Sequence, residues 1–279
     1  MNFDDGMFID EDFGPADVSL YSELKPLPND AKTITRWCRP HEIAQQPTLF
    51  DDGLCLGGDT LKPGVFNNSN LIGAMAAIAD DEREFIYNLL ISDEIEWLTS
   101  GSITWRLYLN GEWHEITTDT LLPCTDETTN EGFAIPASST CGNSNVMWVP
   151  LLEKAYAKLC GLFSAMSSGL LVDALVDLTG GSSQDILFHE ERVHELTLDG
   201  LLWERVYRYL EYGYILASSF DIGDSGVDDS KNSGISPNLA YNIQKVKYVE
   251  GLQFIQLRST WGEILWNGDW SADSKQWSL

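Results

Sequence analysis

The sequence predicts an α+β chain in two parts, the first helix-rich and the second strand-rich, from three observations. Apolar residues recur at helical spacing in several segments before Gly180, and strand-like runs dominate after it. Between them Thr179-Gly180-Gly181-Ser182-Ser183 reads as a linker. A length of 279 residues suffices for one large domain or two medium ones, each with its own core.

Taken in order, residues 1–35 are acidic, carry Pro15, Pro26 and Pro28, and read as an extended arm. The parts that follow are bounded at 36–181 and 182–279. Asn68 and Ser69 are suitable N-caps for a helix whose apolar face is Leu71, Ile72, Met75, Ile78 and Ala79. A second helical pattern, DDEREFIYNLL, follows with acidic residues in its first turn. Ser102 to Leu109 and Glu112 to Thr118 alternate like strands, and Asn110-Gly111 between them is a strong hairpin signal. Helical periodicity returns at 148–162 and 170–178. Beyond the linker come one helical segment, 198–211, and the strand-like runs YILASSF, KVKYV and GLQFIQLRS.

Composition narrows the function classes. Hydrophobic residues make up 43% and aromatics 11%, a globular rather than a disordered profile. The longest apolar stretches fall well short of the ~20 residues of a bilayer span. The acidic start MNFDDGMFIDEDF has no basic, apolar leader pattern, so the expectation is a soluble cytoplasmic protein. Five scattered cysteines without a C-x-x-C pair point to free thiols. A formal net charge of -26 disfavours nucleic acid and anionic membranes as partners. It is compatible with simple solubility, with a basic partner or with a divalent cation.

Isolated motifs carry little chemistry. HEERVH places His189 and His194 five apart, ~140° away from the shared helix face that a zinc-binding H-E-x-x-H requires. Gly57-Gly58-Asp59 lacks the Lys-Ser/Thr of a phosphate loop. Asp221, Asp224, Asp228 and Asp229 lack EF-hand spacing and its final Glu, and read as a solvated loop. The tryptophans at 261, 266, 270 and 277 read as core packing.

Longer segments say more. FIDEDFGPADVSLY, RPHEI, ITWRLYLNGEWHEITTDTLLP, WVPLLEKAYAKLCG, LVDLTGG and LRSTWGEILWNGDWS occur in that order over residues 8 to 279. Together they resemble the protease core of calpains, calcium-dependent cysteine proteases with a papain-like fold of two subdomains. The resemblance implies that fold, with the first subdomain ending at the Thr-Gly-Gly boundary. The last strands of a full second subdomain, and any C2-like or EF-hand module, are expected to be missing.

The same resemblance implies a degenerate catalytic site. The family nucleophile lies in Gln-Gly-x-x-Gly-Asp-Cys-Trp, and the matching stretch runs from Pro63 to Asn70. Ser69 therefore stands at the cysteine, Pro63 at the oxyanion glutamine and Asn70 at the tryptophan. In Asn238-Leu239-Ala240-Tyr241 the family histidine is Leu239, and the orienting asparagine of Asn-Pro-Trp-Gly is Ser259. A serine hydroxyl without a base is almost never ionised near neutral pH. The calcium positions are altered too, with Val146 and Leu265 where glutamates are expected and Asp59 as one remnant carboxylate. Calcium binding is therefore doubtful, and no cofactor is expected.

The resulting expectation is a catalytically inert calpain-like protein acting as a structural or interaction protein. Its partners would be proteins in a larger assembly, in the cytoplasm and at the cytoskeleton, cilium or flagellum. The alternatives are a regulatory pseudoprotease that binds peptides in its cleft, or a relative with residual endopeptidase activity.

Overall fold

A computed structural model describes residues 6–27, 34–50, 61–79, 84–219, 234–235, 240–259, 266–271 and 273–278. The chain divides into two compact units, Met1–Gly181 and Ser182–Leu279.

In the first unit, α1 (Asp17–Leu20), β1 (Ile34–Cys38) and α2 (Pro40–Ile43) precede the long α3 (Ser69–Ala79). Then come α4 (Phe85–Leu89), α5 (Trp97–Ser100), β2 (Ser102–Leu109), β3 (Glu112–Asp119), β4 (Leu122–Thr128) and β5 (Ala134–Pro136). The unit closes with α6 (Trp148–Cys160), a 3-10 turn (Phe163–Ser168) and α7 (Leu171–Thr179). α3 is apolar almost all round, which fits a helix packed against α7 and covered on its other sides.

β2 and β3 pair antiparallel in continuous register from Ser102↔Asp119 to Leu109↔Glu112. The turn between them is the expected one: Asn110 has φ 52° and Gly111 φ 90°, the left-handed pair that matches strand twist. Ile103, Trp105 and Leu107 point inward with no exposure, while the residues between them are only half-buried, as the period of two demands. α7 ends at Gly180, whose φ is +65°. A Cβ there would lie 2.7 Å from the Trp113 ring, so glycine is required by conformation and by space.

The first unit is also richer in strand than its sequence pattern suggests. β1, β4 and β5 form a separate antiparallel sheet in the order β1-β4-β5. These strands are short and irregular, and β4 contains Pro123, which removes a ladder donor and masks the strand pattern.

Residues 7–27 do not form an extended arm. Phe13 and Leu20 are buried, and Phe13 stacks on Phe163 at 5.8 Å. Asp10 is also buried, held by Lys158 Nζ at 2.7 Å, so one of the acidic charges is neutralised inside rather than solvated. The negative composition of the segment conceals this pairing.

In the second unit, α8 (Glu191–Leu198) and α9 (Leu201–Glu211) pack together, and α9 lies on a sheet ordered β6-β7-β8. Its strands are β6 (Leu216–Ser219), β7 (Ala240–Val249) and β8 (Leu252–Ser259). Among the described residues this unit carries about as much helix as strand, because 191–198 is helical despite its polar sequence. Phe254 packs edge-on to Trp270 at 5.1 Å, and Trp270 edge-on to Trp277 at 5.1 Å. Trp277 nevertheless stays 58% exposed, so this cluster is only partly core.

Candidate functional site

Ser69 is the first residue of α3 and is buried. The chain reaches it through Asn67, whose φ of 55° is a left-handed turn that asparagine tolerates better than most residues. The carbonyl of Asn68 accepts the first hydrogen bond of the helix, from Ile72 N at 3.1 Å. Asn70 Nδ2 donates to the carbonyl of Gly169, fixing the start of α3 to the stretch before α7.

Pro63 lies in a segment pinned along its length to residues 137–140. Lys62 N donates to Thr140 O at 2.8 Å, and Thr140 N returns a bond to Lys62 O at 2.9 Å. Gly64 N donates to Ser139 Oγ at 3.1 Å, and Val65 N to Ala137 O at 2.8 Å. The contact is tight enough that a Cβ on Gly64 would sit 2.3 Å from Ala137 O. Pro63 has no N–H, and the amides of Lys62, Gly64 and Val65 are engaged in these bonds.

A group the sequence reading passed over sits beneath both positions. Glu153 of α6 is fully buried and accepts from Asn68 Nδ2 at 3.0 Å and from Ser139 N at 2.6 Å. Ser139 therefore links Glu153 to Gly64, and Asn68 links it to Ser69. Burial pushes the Glu153 carboxyl up to about 7, against the lowering effect of its hydrogen bonds from Ser139 and Asn68. The available signal was in WVPLLEKAYA itself, a helix whose buried face includes the charged Glu153 and Lys154.

Val146 has the surroundings of a core residue. It is 2% exposed and bridges to Thr48, while Met147 N donates to Thr48 O at 2.9 Å. Ser259 ends β8, opposite Tyr241 of β7, and is half-buried. Leu239, Leu265 and Asp59 lie outside the described residues, as do Trp261, Gly57, Gly58 and the aspartates 221, 224, 228 and 229. His189 precedes α8 and His194 lies within it. Among the described residues, no three of His, Cys, Asp or Glu converge as a metal site requires. Cys38, Cys124 and Cys160 are free thiols. No helix among the described residues is long and apolar enough to cross a membrane.

Comparison with known proteins gives these positions a setting. A family model described as calpain family cysteine protease matches residues 8–279. The chain is 32% identical over 278 residues to the calpain-type cysteine protease DEK1 of Zea mays, covering 97% of this chain and 12% of that protein. Against calpain-5 of Rattus norvegicus it is 30% identical over 293 residues, covering 97% and 43%. Against the calpain-1 catalytic subunit of Homo sapiens it is 30% identical over 281 residues, covering 98% and 37%. The chain thus spans less than half the length of these relatives.

Proposed function

The chain belongs to the calpain family of cysteine proteases, and from that premise we propose that it is a member without peptidase chemistry that acts through protein contacts. The observation that carries this reading is a serine, Ser69, at the start of α3 where the resemblance places the family's thiol. A thiol at that position would be ionisable near neutral pH, and a helix start would help hold it as thiolate. A hydroxyl requires a base, and the resemblance puts Leu239 at the base and Ser259 at its orienter. At the oxyanion position Pro63 supplies neither a side-chain amide nor a backbone donor. Loss of such machinery costs about 10⁴ to 10⁶ in rate.

The test is turnover of casein and fluorogenic peptides, with and without millimolar calcium, by the chain and by Ser69→Ala and Ser69→Cys. The expected result is no turnover in any of them. Turnover that Ser69→Ala abolishes would overturn the reading. With Val146 in the core, calorimetry should find at most weak calcium binding.

As an interaction protein, a chain of charge -26 is steered toward basic patches on other proteins, with apolar anchors supplying most of the affinity. A cytoplasmic assembly on cytoskeletal, ciliary or flagellar filaments fits that chemistry. Such a chain should co-fractionate with insoluble filaments and be released as salt rises. A chain found soluble, monomeric and without partners in native extracts would favour peptide binding by an inert core instead.

A further inference from the structure

Glu153, Asn68 and Ser139 together have a property that does not depend on whether Ser69 is catalytic. The Asn68 side chain is buried, and its Nδ2 donates to Glu153 while its Oδ1 is buried without a hydrogen-bond partner. A fully buried carboxylate and an unpaired buried carbonyl oxygen thus belong to one contact. An unpaired buried acceptor is costly, and the missing element here is a proton donor.

We propose that Glu153 and Asn68 form a proton-dependent latch under the start of α3, in which protonation of the carboxyl turns the Asn68 amide over. In the ionised state Glu153 accepts from Asn68 Nδ2, the arrangement observed. When Glu153 binds a proton, its new O–H needs an acceptor, and the amide supplies one by presenting Oδ1 in place of Nδ2. Ser139 N donates to the other carboxyl oxygen in either state. Each state leaves one amide atom unpaired, Oδ1 in the ionised form and Nδ2 in the protonated form. The balance between the two arrangements is set by proton activity, since one of them buries a charge and the other does not. A carboxyl held near neutrality by burial fits this balance.

Among the described residues, the surrounding elements bring no second charge to bear. α3 has no ionisable residue, and neither do residues 134–140. Lys62, the one ionisable group of residues 61–68, is exposed. On α6 itself the neighbouring Lys154 turns to Asp119. The carboxyl therefore responds to bulk pH through its own proton. The response reaches Ser69 because Asn68 carries the first carbonyl of the α3 ladder, and it reaches Gly64 through Ser139 Oγ.

The test is a pH titration by NMR of the full chain, following the Glu153 carboxyl carbon, the Asn68 side-chain amide and the Ser69 backbone amide. All three should move with one midpoint near pH 7. Glu153→Gln places a neutral donor at the carboxyl, so Asn68 should sit at its low-pH position at every pH. Asn68→Ala removes the donor to the carboxylate and should shift the Glu153 midpoint upward by about one pH unit, a tenfold change in proton affinity. A Glu153 carboxyl that does not titrate between about pH 5 and 9 would overturn the latch, as would one that titrates while Asn68 stays fixed. Should Glu153→Gln fail to fold, the wild-type curves of Glu153 and Asn68 alone decide between these outcomes.

Discussion

Lys154 Nζ lies 2.5 Å from Asp119 Oδ1, and neither side chain has any solvent exposure. The pair joins α6 to the end of β3, and both partners are further satisfied: Lys154 donates to Leu121 O at 2.6 Å, and Asp119 accepts from Asp10 N and Leu121 N. Full hydrogen bonding is what makes a buried ion pair tolerable in a low-dielectric interior. One turn further along α6, Lys158 reaches Asp10 and the carbonyl of Thr117. α6 thereby holds the N-terminal segment and the hairpin together.

Lys154→Met should therefore destabilise the first unit by about 3–5 kcal/mol, because it leaves Asp119 charged and buried without its cation. Adding Asp119→Leu should recover much of that loss. Urea unfolding of the single and double variants measures the difference, and equal stability of wild type and Lys154→Met would refute the assignment.

The N-terminal segment should behave as part of the core. Phe13→Ala should cost about 3–5 kcal/mol, since its ring is buried against Phe163. Removing residues 1–34 should lower the thermal midpoint of the first unit. A truncated chain that melts with the wild type would show the segment to be an appendage after all.

Two glycine substitutions should separate crowding from backbone conformation. Gly64→Ala drives a methyl into the backbone of residues 137–139 and should cost about 2–3 kcal/mol or more. Gly111→Ala has open space around it and should cost only about 1–2 kcal/mol, the penalty of a left-handed φ of +90°. Denaturant midpoints should rank the two in that order.

Stability should fall with rising pH in the window set by Glu153. Its carboxyl is raised from the ordinary 4.5 to about 7 in the folded chain, so between those values the folded state binds more protons than the unfolded state. The contribution is fully present below about pH 4.5, is lost as pH rises through about 7, and is flat above. The loss amounts to about 3 kcal/mol. Glu153→Gln has no proton to lose and should flatten that part of the profile in urea unfolding at pH 5, 6, 7 and 8.

The elements legible in the sequence are those whose information is local. Asn110-Gly111 dictates its turn because two adjacent residues must take positive φ. The apolar spacing of 71–79 marks α3, and that of 148–160 marks α6, because burial of a helix face is written at intervals of three and four. The order of longer motifs likewise carries the family. Local pattern failed where strands were short or interrupted by Pro123, and where Asp10 made an acidic stretch look solvated.

What only the tertiary structure decided are the pairings of distant residues. Asn68 meets Glu153 across 85 positions, Asp119 meets Lys154 across 35 and Asp10 meets Lys158 across 148. As letters, Glu153 and Lys154 are two charges in an otherwise largely apolar stretch of helix, with nothing in the letters to name their partners. Inside the fold, exclusion of water forces each to find a partner: Lys154 finds a carboxylate, whereas Glu153 finds only neutral donors and shifts its proton affinity instead. Neither outcome is encoded near those residues, because desolvation and partner choice depend on which elements the chain brings together.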